Sequence, residues 1–355
     1  MKATIAKAHD FKRWDEWLKT IDGANLRQTS GYRDALALFG QGSEILICED
    51  GGELTCGALL GIRNTFPGLA PVLHTSGGLA SRDPLNANLL ARFLELILDY
   101  GRRNEASTVD VFLRVPQLVG ASAAPEADAL KSVLSEKGFH LREAFDTYYV
   151  SLRERSDEEL LKAFGTNPRR HIRKGFREGL TVEASLAHED FRDFEAAHNA
   201  MSRRKGLTRL PSGLLSTTIF RLAQSGQGKL FVARFQGKPR NYAFVSSVGR
   251  AIYLWGALSD WAREPGCPQT GQALHYQVMC SAKEWGSDFY DFGGTPGPIP
   301  DPSHPNYSVW KFKHEFNGIH VSFLGWWRYR LRPIRARLTD ALRTGVALKR
   351  RTFGR

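Results

Sequence analysis

One lysine, Lys313, follows a loop rich in glycine and proline and is accompanied by Phe312 and Phe316. The stretch reads YDFGGTPGPIPDPSHPNYSVWKFKHEFNG, residues 290–318. A fixed cation can stabilise an oxygen that becomes negatively charged in a transition state, and aromatic neighbours would restrict it and reduce its screening by water. The alternative is a strand with Trp310 and Phe312 inward and Lys311 and Lys313 in water, and the residues alone favour this alternative.

A second concentration of charge lies in NPRRHIRKGFREG, directly after Pro168. Six cationic or potentially cationic side chains fall within nine positions: Arg169, Arg170, His171, Arg173, Lys174 and Arg177. Near a predicted helix start, the helix dipole adds to their attraction for phosphate. The alternative is one exposed helix face that keeps the protein soluble, but this density of charge favours phosphate contact, with Arg169 and Arg173 as candidates.

The formal net charge of the chain is +12, and most of it lies at the C-terminus. Residues 328–355 contain ten Lys or Arg and one acidic residue, a net charge of +9, which leaves +3 for residues 1–327. Apolar side chains recur there every four positions, at Ile334, Leu338, Leu342 and Val346. This spacing predicts an amphipathic helix with arginines beside it, suited to an anionic lipid surface or to phosphates; the alternative is a solvated, partly disordered tail.

The remaining composition excludes several classes of protein. We expect no membrane span, because no apolar run reaches about eighteen residues, and no secretory signal, because MKATIAKAHDFKRW alternates charged and apolar residues. The four cysteines lack metal-ligand spacing, and no nucleotide-binding glycine pattern, serine-hydrolase elbow or HExxH is present. His275, in an apolar helix, is interpreted as a core residue. We expect a cytoplasmic monomer without cofactor or metal.

Two stretches of the chain predict the same order of elements. In the first, EILICED and ELTCGALLGIR form a hairpin, followed by a helix over about residues 84–103 and the strand TVDVFLRV. In the second, KLFVARF and RNYAFVSSV form a hairpin, followed by AIYLWGAL, a helix over 270–285 and SDFYDF. This order resembles an N-acyltransferase fold of the GNAT type, used twice in an α/β (α+β) chain.

The local sequence also resembles a known family. YDFGG followed by WKFKHEFNG is similar to the closing motif of the FemABX peptidyltransferases, which build the cross-bridges of bacterial peptidoglycan. NPRRHIRKGFREGLTVE, MSRRKG, AIYLWGALS and ALHYQVMCSAKEWGSDFYDFGG match further segments in order, and LRQTSGYRDALALFG is a looser match to the opening helix. The resemblance covers about residues 25–325 and implies two GNAT-like domains, 1–152 (completed by about 319–335) and 153–318, before a basic tail over 336–355.

The resemblance also implies a function. Members of the family transfer an aminoacyl group from aminoacyl-tRNA to an amine of a peptidoglycan precursor, either UDP-linked muropeptide or lipid II, without a cofactor. The basic tail would then permit peripheral contact with the inner face of the plasma membrane, and the cluster after Pro168 would suit a tRNA acceptor stem or the precursor's diphosphate.

The matching positions imply site residues. Phe312 and Lys313 occupy the family's phenylalanine-lysine pair at the donor end, where Lys313 would stabilise the oxyanion and Phe312 would stack on the terminal adenine. Arg204 and Trp255 fall where relatives line the acceptor groove, and the opening helix offers Tyr32 and Arg33. The chain departs from the family at Leu36, where some relatives carry a lysine, at Met201, and in lacking a long coiled-coil arm.

The alternative function is an acyl-CoA-dependent N-acyltransferase of the same fold, acting on an exported polysaccharide or a small amine. GNAT domains that hold CoA usually present a glycine-rich turn before the long helix. Here the corresponding residues, 263–268, read REPGCP, with proline and cysteine in that place. The sequence therefore favours the tRNA donor.

Overall fold

The computed structural model describes residues 2–21, 23–64, 70–204, 212–249 and 251–342. The chain divides into two compact units. Unit 1 comprises Met1–Ile21, Arg27–Phe145 and Ser322–Arg355, and unit 2 comprises Asp22–Leu26 and Asp146–Val321. Of the predicted basic tail, residues 343–355 lie outside the described residues. No helix in the described ranges is long and apolar enough to cross a bilayer.

Unit 1 contains a sheet covered by helices. Its elements are β1 (Lys2–Ile5), α1 (Phe11–Lys19), α2 (Ser30–Leu38), β2 (Gly42–Asp50), β3 (Glu53–Arg63), β4 (Val72–Ser81), α3 (Ala87–Arg103), β5 (Thr108–Val119), β6 (Ser122–Ala123), α4 (Glu126–Glu136), the first half of β7 (His140–Ser151) and most of β13 (Ile319–Arg330). The strand order is β1-β2-β3-β4-β5-β13-β7, with β6 beside β5. A short helix over residues 333–342 follows β13.

The predicted hairpin of the first stretch is β2 and β3. They pair antiparallel, and Asp50 faces Glu53 across a two-residue turn. Both turn residues have positive φ, +57° at Gly51 and +88° at Gly52. Glycine adopts this conformation without steric cost, so the turn matches the right-handed twist of the two strands.

One strand of unit 1 was not expected from the sequence. β4, VLHTSGGLAS, contains adjacent glycines and small polar residues, which have low strand propensity. It pairs antiparallel with β3 and parallel with β5. Backbone pairing with a strand on each side therefore stabilises β4 as a strand.

The core of unit 1 lies between the sheet and helices α3 and α4. Phe93, Leu94 and Ile97 of α3 are fully buried against strand residues such as Leu60 and Val109. Burial of such apolar side chains is the main favourable contribution to folding. The apolar period along α3 is what the sequence predicted for this helix.

Unit 2 repeats the arrangement. Its elements are the second half of β7, α5 (Asp157–Ala163), α6 (Thr166–Arg177), β8 (Thr181–Ser185), α7 (His188–Arg204), α8 (Leu214–Gln224), β9 (Gly228–Phe235), β10 (Lys238–Ser246), β11 (Ala251–Leu258), α9 (Thr270–Glu284), β12 (Phe289–Asp291), α10 (Tyr307–His314) and the start of β13. The strand order is β7-β12-β11-β10-β9-β8. Between α7 and β9, the described residues form a single helix, α8.

The two units share one pattern of strand pairing. In each, an antiparallel hairpin and a third strand are followed by a long helix and a strand that pairs parallel with the third: β4 with β5 in unit 1, β11 with β12 in unit 2. The internal repeat predicted from the sequence is therefore present in the strand pairing.

Candidate active site

The site of unit 2 is built where β11 and β12 separate. Among the described residues, these strands pair at Ala251 with Tyr290 and at Ile252 with Asp291. Farther along, β11 carries a one-residue bulge, because Val245 pairs with Tyr253 while Phe244 pairs with Trp255. A bulge bends its strand and increases the local twist. Ligands of α/β proteins commonly bind outside the carboxyl ends of parallel strands that diverge in this way.

Lys313 projects from α10 towards the turn that follows β12. Its Nζ donates hydrogen bonds to the backbone carbonyl oxygens of Gly293, at 3.0 Å, and Gly294, at 2.5 Å. The residue is 5% exposed. These are its hydrogen-bond acceptors among the described residues, so one of the three ammonium protons is left for a ligand.

The strand alternative for WKFKHEF is wrong. The segment is helical, and Trp310, Lys313 and Phe316, three residues apart, face inward, while Lys311 is exposed. A spacing of three to four residues places side chains on one helix face, whereas a strand would have alternated them. Lys313 is consequently a buried cation.

Burial changes the protonation of Lys313. Desolvation lowers its pKa from 10.5 to about 8, opposed by the negative charge of Asp291, which raises it. The ammonium therefore remains mostly charged at neutral pH, although its proton is held less tightly than that of an exposed lysine. Such a group can donate a strong hydrogen bond to an anionic oxygen.

Asp291 organises the turn that holds Lys313. Its carboxylate accepts hydrogen bonds from the Thr147 hydroxyl, at 2.5 Å, and from the Gly293 N–H, at 2.7 Å. Gly293 has a φ of +71°, which allows its N–H and C=O to serve the carboxylate and the ammonium together. Asp291 thus acts as a fixed hydrogen-bond acceptor and as a negative charge that favours protonated Lys313.

The loop between this turn and α10 is irregular but anchored. The Trp310 indole N–H and the Tyr148 hydroxyl both donate to the carbonyl oxygen of Pro298, at 2.7 and 2.9 Å. Trp310 also stacks on His314 with ring centroids 4.8 Å apart. These hydrogen bonds thus fix the loop before α10, although it is rich in glycine and proline.

Phe312 packs over the first turn of α9. A Cβ placed on Gly271 would lie 3.2 and 3.4 Å from two atoms of the Phe312 ring, so this close approach depends on glycine. The ring also lies 5.4 Å from both His275 and Phe316, centroid to centroid. One face of Phe312 is thus fixed by α9, and the side chain is only partly buried.

His275 is a neutral core residue beside this site. Its Nδ1 lies 2.6 Å from the Tyr290 hydroxyl. Burial, and secondarily the positive charge of Lys313, lower its pKa to about 3. At neutral pH it therefore contributes packing and one hydrogen bond, without a second positive charge.

The basic cluster lies on α6, whose start is tied to the end of α10. The Gly165 N–H donates to the Glu315 carbonyl oxygen at 2.9 Å. Pro168 and Ile172 face inward, Arg173 is exposed, and Arg169 is partly exposed and donates to Thr166 Oγ1 at 3.4 Å. The start of α6 thus adjoins the segment that carries Lys313, and the Arg173 side chain is open to solvent.

Arg204 and Trp255 lie in another part of unit 2. Arg204 is the last described residue of α7, and its guanidinium pairs with Asp260 at 2.9 Å. Trp255, on β11, packs against Phe244 with ring centroids 5.9 Å apart. Helix α7 contacts β11, so both side chains belong to the same side of unit 2.

Tyr32 and Arg33 belong to unit 1, on α2. Arg33 is 4.6 Å from the centroid of the Phe11 ring and pairs with Asp34 at 2.7 Å. Leu36, at the position where some relatives carry a lysine, is buried with 6% exposure. That position is part of the core of unit 1 and offers no side chain to a ligand.

The sequence did not reveal some residues that shape the site. Gly271 has no side chain, the Thr147 hydroxyl is one of many in the sequence, and the acceptors of Lys313 are backbone carbonyls. Of the predicted site residues, Lys313 and Phe312 share the opening beside β12 in unit 2, whereas Tyr32 and Arg33 belong to unit 1.

In unit 1, the last residue of β5 that pairs with β4, Asp110, belongs to a buried ion-pair network with β13 and β7. Asp110, at 2% side-chain exposure, accepts from Arg328 Nε at 2.6 Å and Nη2 at 2.8 Å, and from Arg142 at 3.0 Å. The Thr75 hydroxyl also accepts from the Phe112 N–H at 2.8 Å. The Thr75 bond thus joins β4 to β5 beyond their last paired residues, and the Asp110 bonds join β5 to β13 and β7.

Comparison with known proteins agrees with this architecture. Residues 163–305 match a family described as the acetyltransferase (GNAT) domain. The lipid II:glycine glycyltransferase of Staphylococcus haemolyticus is 22% identical, over 87% of this chain and 88% of that protein. The crystal structure of FemX has a TM-score of 0.79 at 18% identity and covers 95% of this chain and 99% of that chain.

A tandem GNAT protein from the clavulanic acid biosynthesis pathway is also similar, with a TM-score of 0.54 at 12% identity, covering 92% of this chain and 98% of that chain. The predicted fold, two GNAT-like units in tandem, is confirmed by these likenesses. The resemblance to the FemABX proteins inferred from the closing motif is confirmed as a likeness, and the matched domain and relative identify the chain as an acyltransferase.

Proposed function

We propose that the protein transfers an aminoacyl group from aminoacyl-tRNA to an amine of a peptidoglycan precursor, either UDP-MurNAc-pentapeptide or lipid II. The observation that carries the proposal is the buried ammonium of Lys313, fixed by two carbonyl oxygens with one proton left for a ligand. The relative named as a lipid II:glycine glycyltransferase supports the acceptor class.

The reaction needs stabilisation of negative charge more than it needs a strong base. The acceptor amine attacks the ester carbonyl carbon, the carbonyl oxygen becomes anionic, and the remaining N–H of Lys313 donates to it. The intermediate then breaks the ester C–O bond, and the departing ribose oxygen of the tRNA takes up the proton lost from the amine and becomes a hydroxyl. The acceptor gains an amide, and the tRNA leaves uncharged.

Phe312 and the arginines of α6 would position the donor. The exposed part of the Phe312 ring would stack on the terminal adenine, worth roughly 1–3 kcal/mol. Arg169 and Arg173 would contact phosphates of the acceptor stem, and Arg204, Trp255, Tyr32 and Arg33 would contact the precursor. We further propose that the protein works as a cytoplasmic monomer that can reach the inner face of the plasma membrane.

A second candidate is transfer from acyl-CoA to an exported polysaccharide or a small amine, which the match to the acetyltransferase domain favours. Against it, the first turn of α9 is occupied: Thr270 and Gln272 are buried, and Phe312 covers Gly271. A pyrophosphate needs open N–H groups at a helix start.

The decisive experiment offers both donors to the purified protein. Mixed tRNAs charged with labelled amino acids and, separately, labelled acetyl-CoA are incubated with UDP-MurNAc-pentapeptide and with lipid II. We expect label in the precursor only from tRNA, and not with the Lys313→Met variant. Label arriving only from acetyl-CoA would replace the proposal with the second candidate, and label from neither donor would reject both.

A further inference from the structure

The helix over residues 333–342, called here the C-terminal helix, presents an apolar face to solvent. Ile334, Leu338 and Leu342 are 84%, 54% and 44% exposed. They are spaced by four residues and therefore lie on one side of the helix. Single exposed apolar residues are common in proteins. Three of them aligned on one helix face form an exposed apolar patch, which typically marks an interaction surface.

The opposite side of this helix is fixed to unit 1. Ala336 is 0% and Thr339 is 2% exposed. Asp340 pairs with Arg328 at 2.9 Å, and Arg328 is in turn held by the buried Asp110. The helix is therefore anchored, and its apolar side is not available to the core of unit 1.

Positive charge borders the apolar side. At about 100° per residue, Arg335 and Arg337 fall on either side of the line through Ile334, Leu338 and Leu342. Both arginines are exposed, and their guanidinium groups have no ion-pair partner among the described residues. An apolar stripe with cations on both flanks fits a surface that is anionic outside and apolar beneath.

We propose that the C-terminal helix docks the protein on an anionic lipid bilayer, with Ile334, Leu338 and Leu342 entering the interface and Arg335 and Arg337 contacting lipid phosphates. The phosphates of a nucleic acid would attract the two arginines but would offer no apolar environment to the three apolar side chains. A bilayer offers both, so it is the favoured partner. The inference deepens the proposed function, on which its link to a lipid-linked acceptor rests.

The test measures binding of the full chain to phosphatidylcholine vesicles with and without phosphatidylglycerol, in the absence of tRNA and acceptor. We expect binding to the anionic vesicles that weakens as salt is raised. The double variant I334Q/L338Q and the double variant R335Q/R337Q should each bind roughly tenfold more weakly. The matched controls L186Q/I299Q and R92Q/R103Q, on exposed residues elsewhere, should bind like the unaltered protein.

Three results would overturn the inference. The first is a full chain that does not bind anionic vesicles, and the second is a full chain that binds them equally well when it carries I334Q/L338Q. The third is an R335Q/R337Q variant that loses affinity for tRNA while no variant alters vesicle binding, which would identify a nucleic-acid surface. Because no donor or acceptor is present, failure here is distinct from failure of the proposed transfer, which is assayed with soluble UDP-MurNAc-pentapeptide.

Discussion

The ammonium of Lys313 lies 3.0 Å from the carbonyl oxygen of Gly293. A lysine is a flexible side chain, and this bond, with the one to Gly294, removes most of its freedom before any ligand arrives. An electrostatic group that is already in place needs no reorganisation when charge develops on a substrate. The glycine turn is thus as much a part of the candidate site as the lysine.

Replacing Lys313 with methionine should abolish most of the transfer. Methionine has a similar volume but no donor, and loss of one oxyanion donor costs about 10²-fold to 10³-fold in kcat. Single-turnover transfer with saturating donor measures the effect. Lys311→Met, on the exposed side of the same helix, is the control and should retain activity; equal rates for both variants would remove Lys313 from the mechanism.

Activity should fall as the pH rises through about 8, because that is the pKa to which burial lowers the Lys313 ammonium. The contribution of Lys313 to the free energy of unfolding changes in the opposite direction, because it increases with pH. The folded state loses this proton near pH 8 and the unfolded state near 10.5, so the free energy of unfolding rises between those values. Rates and urea unfolding measured from pH 6 to about 10 separate the two effects, and Lys313→Met should remove both.

Gly271→Ala should weaken donor binding. The added methyl group would lie 3.2 Å from the Phe312 ring and must displace it by a few tenths of an ångström. We expect a higher KM for charged tRNA with a smaller change in kcat, and a larger loss of affinity, roughly fivefold to 150-fold, for Phe312→Ala. Gly42→Ala, whose Cβ would meet Ile62 at an ordinary 3.7 Å, is the control. A KM unaffected in both site variants would exclude Phe312 as the stacking face.

Asp110→Ala should severely destabilise unit 1. It leaves Arg328, a side chain at 8% exposure, without the carboxylate that it binds through two nitrogen atoms. Removing one partner of a buried ion pair costs about 3–5 kcal/mol. Asp99→Ala, which breaks an exposed pair with Arg102, should cost less than about 1 kcal/mol. Denaturant unfolding, followed by Trp fluorescence, compares the two, and similar midpoints would contradict the role given to Asp110.

Strands and helices were predictable where the pattern of apolar residues was regular. The hairpin of β2 and β3 followed from two apolar runs around Gly51-Gly52, and α3 followed from a helical period. β4 was missed because its glycines hide a strand that only its neighbours stabilise. WKFKHEF shows both an alternating pattern, which predicts a strand, and a three-residue period, which predicts a helix. The packing of Trp310 and Phe316 in the core of unit 2 stabilises the helix.

The partners of Lys313 could not be read from the sequence for a different reason. They are main-chain oxygens, which every residue possesses, and only the fold brings Gly293 and Gly294 to the lysine. The family resemblance indicated which lysine to consider. The way it is held depends on Asp291 and Thr147, which lie far apart in the sequence.

The route of the chain has a consequence for biosynthesis. β13 lies between β5 and β7 within unit 1, yet it is separated from them by the whole of unit 2. In a nascent chain leaving the ribosome, the place of β13 between β5 and β7 therefore stays empty until residues 322–330 emerge. Unit 2 already has nearly all its strands at that point. Such an intermediate exposes unpaired strand edges, which favour aggregation, and a stop codon before β13 would yield a chain in which Asp110 lacks Arg328 as its partner.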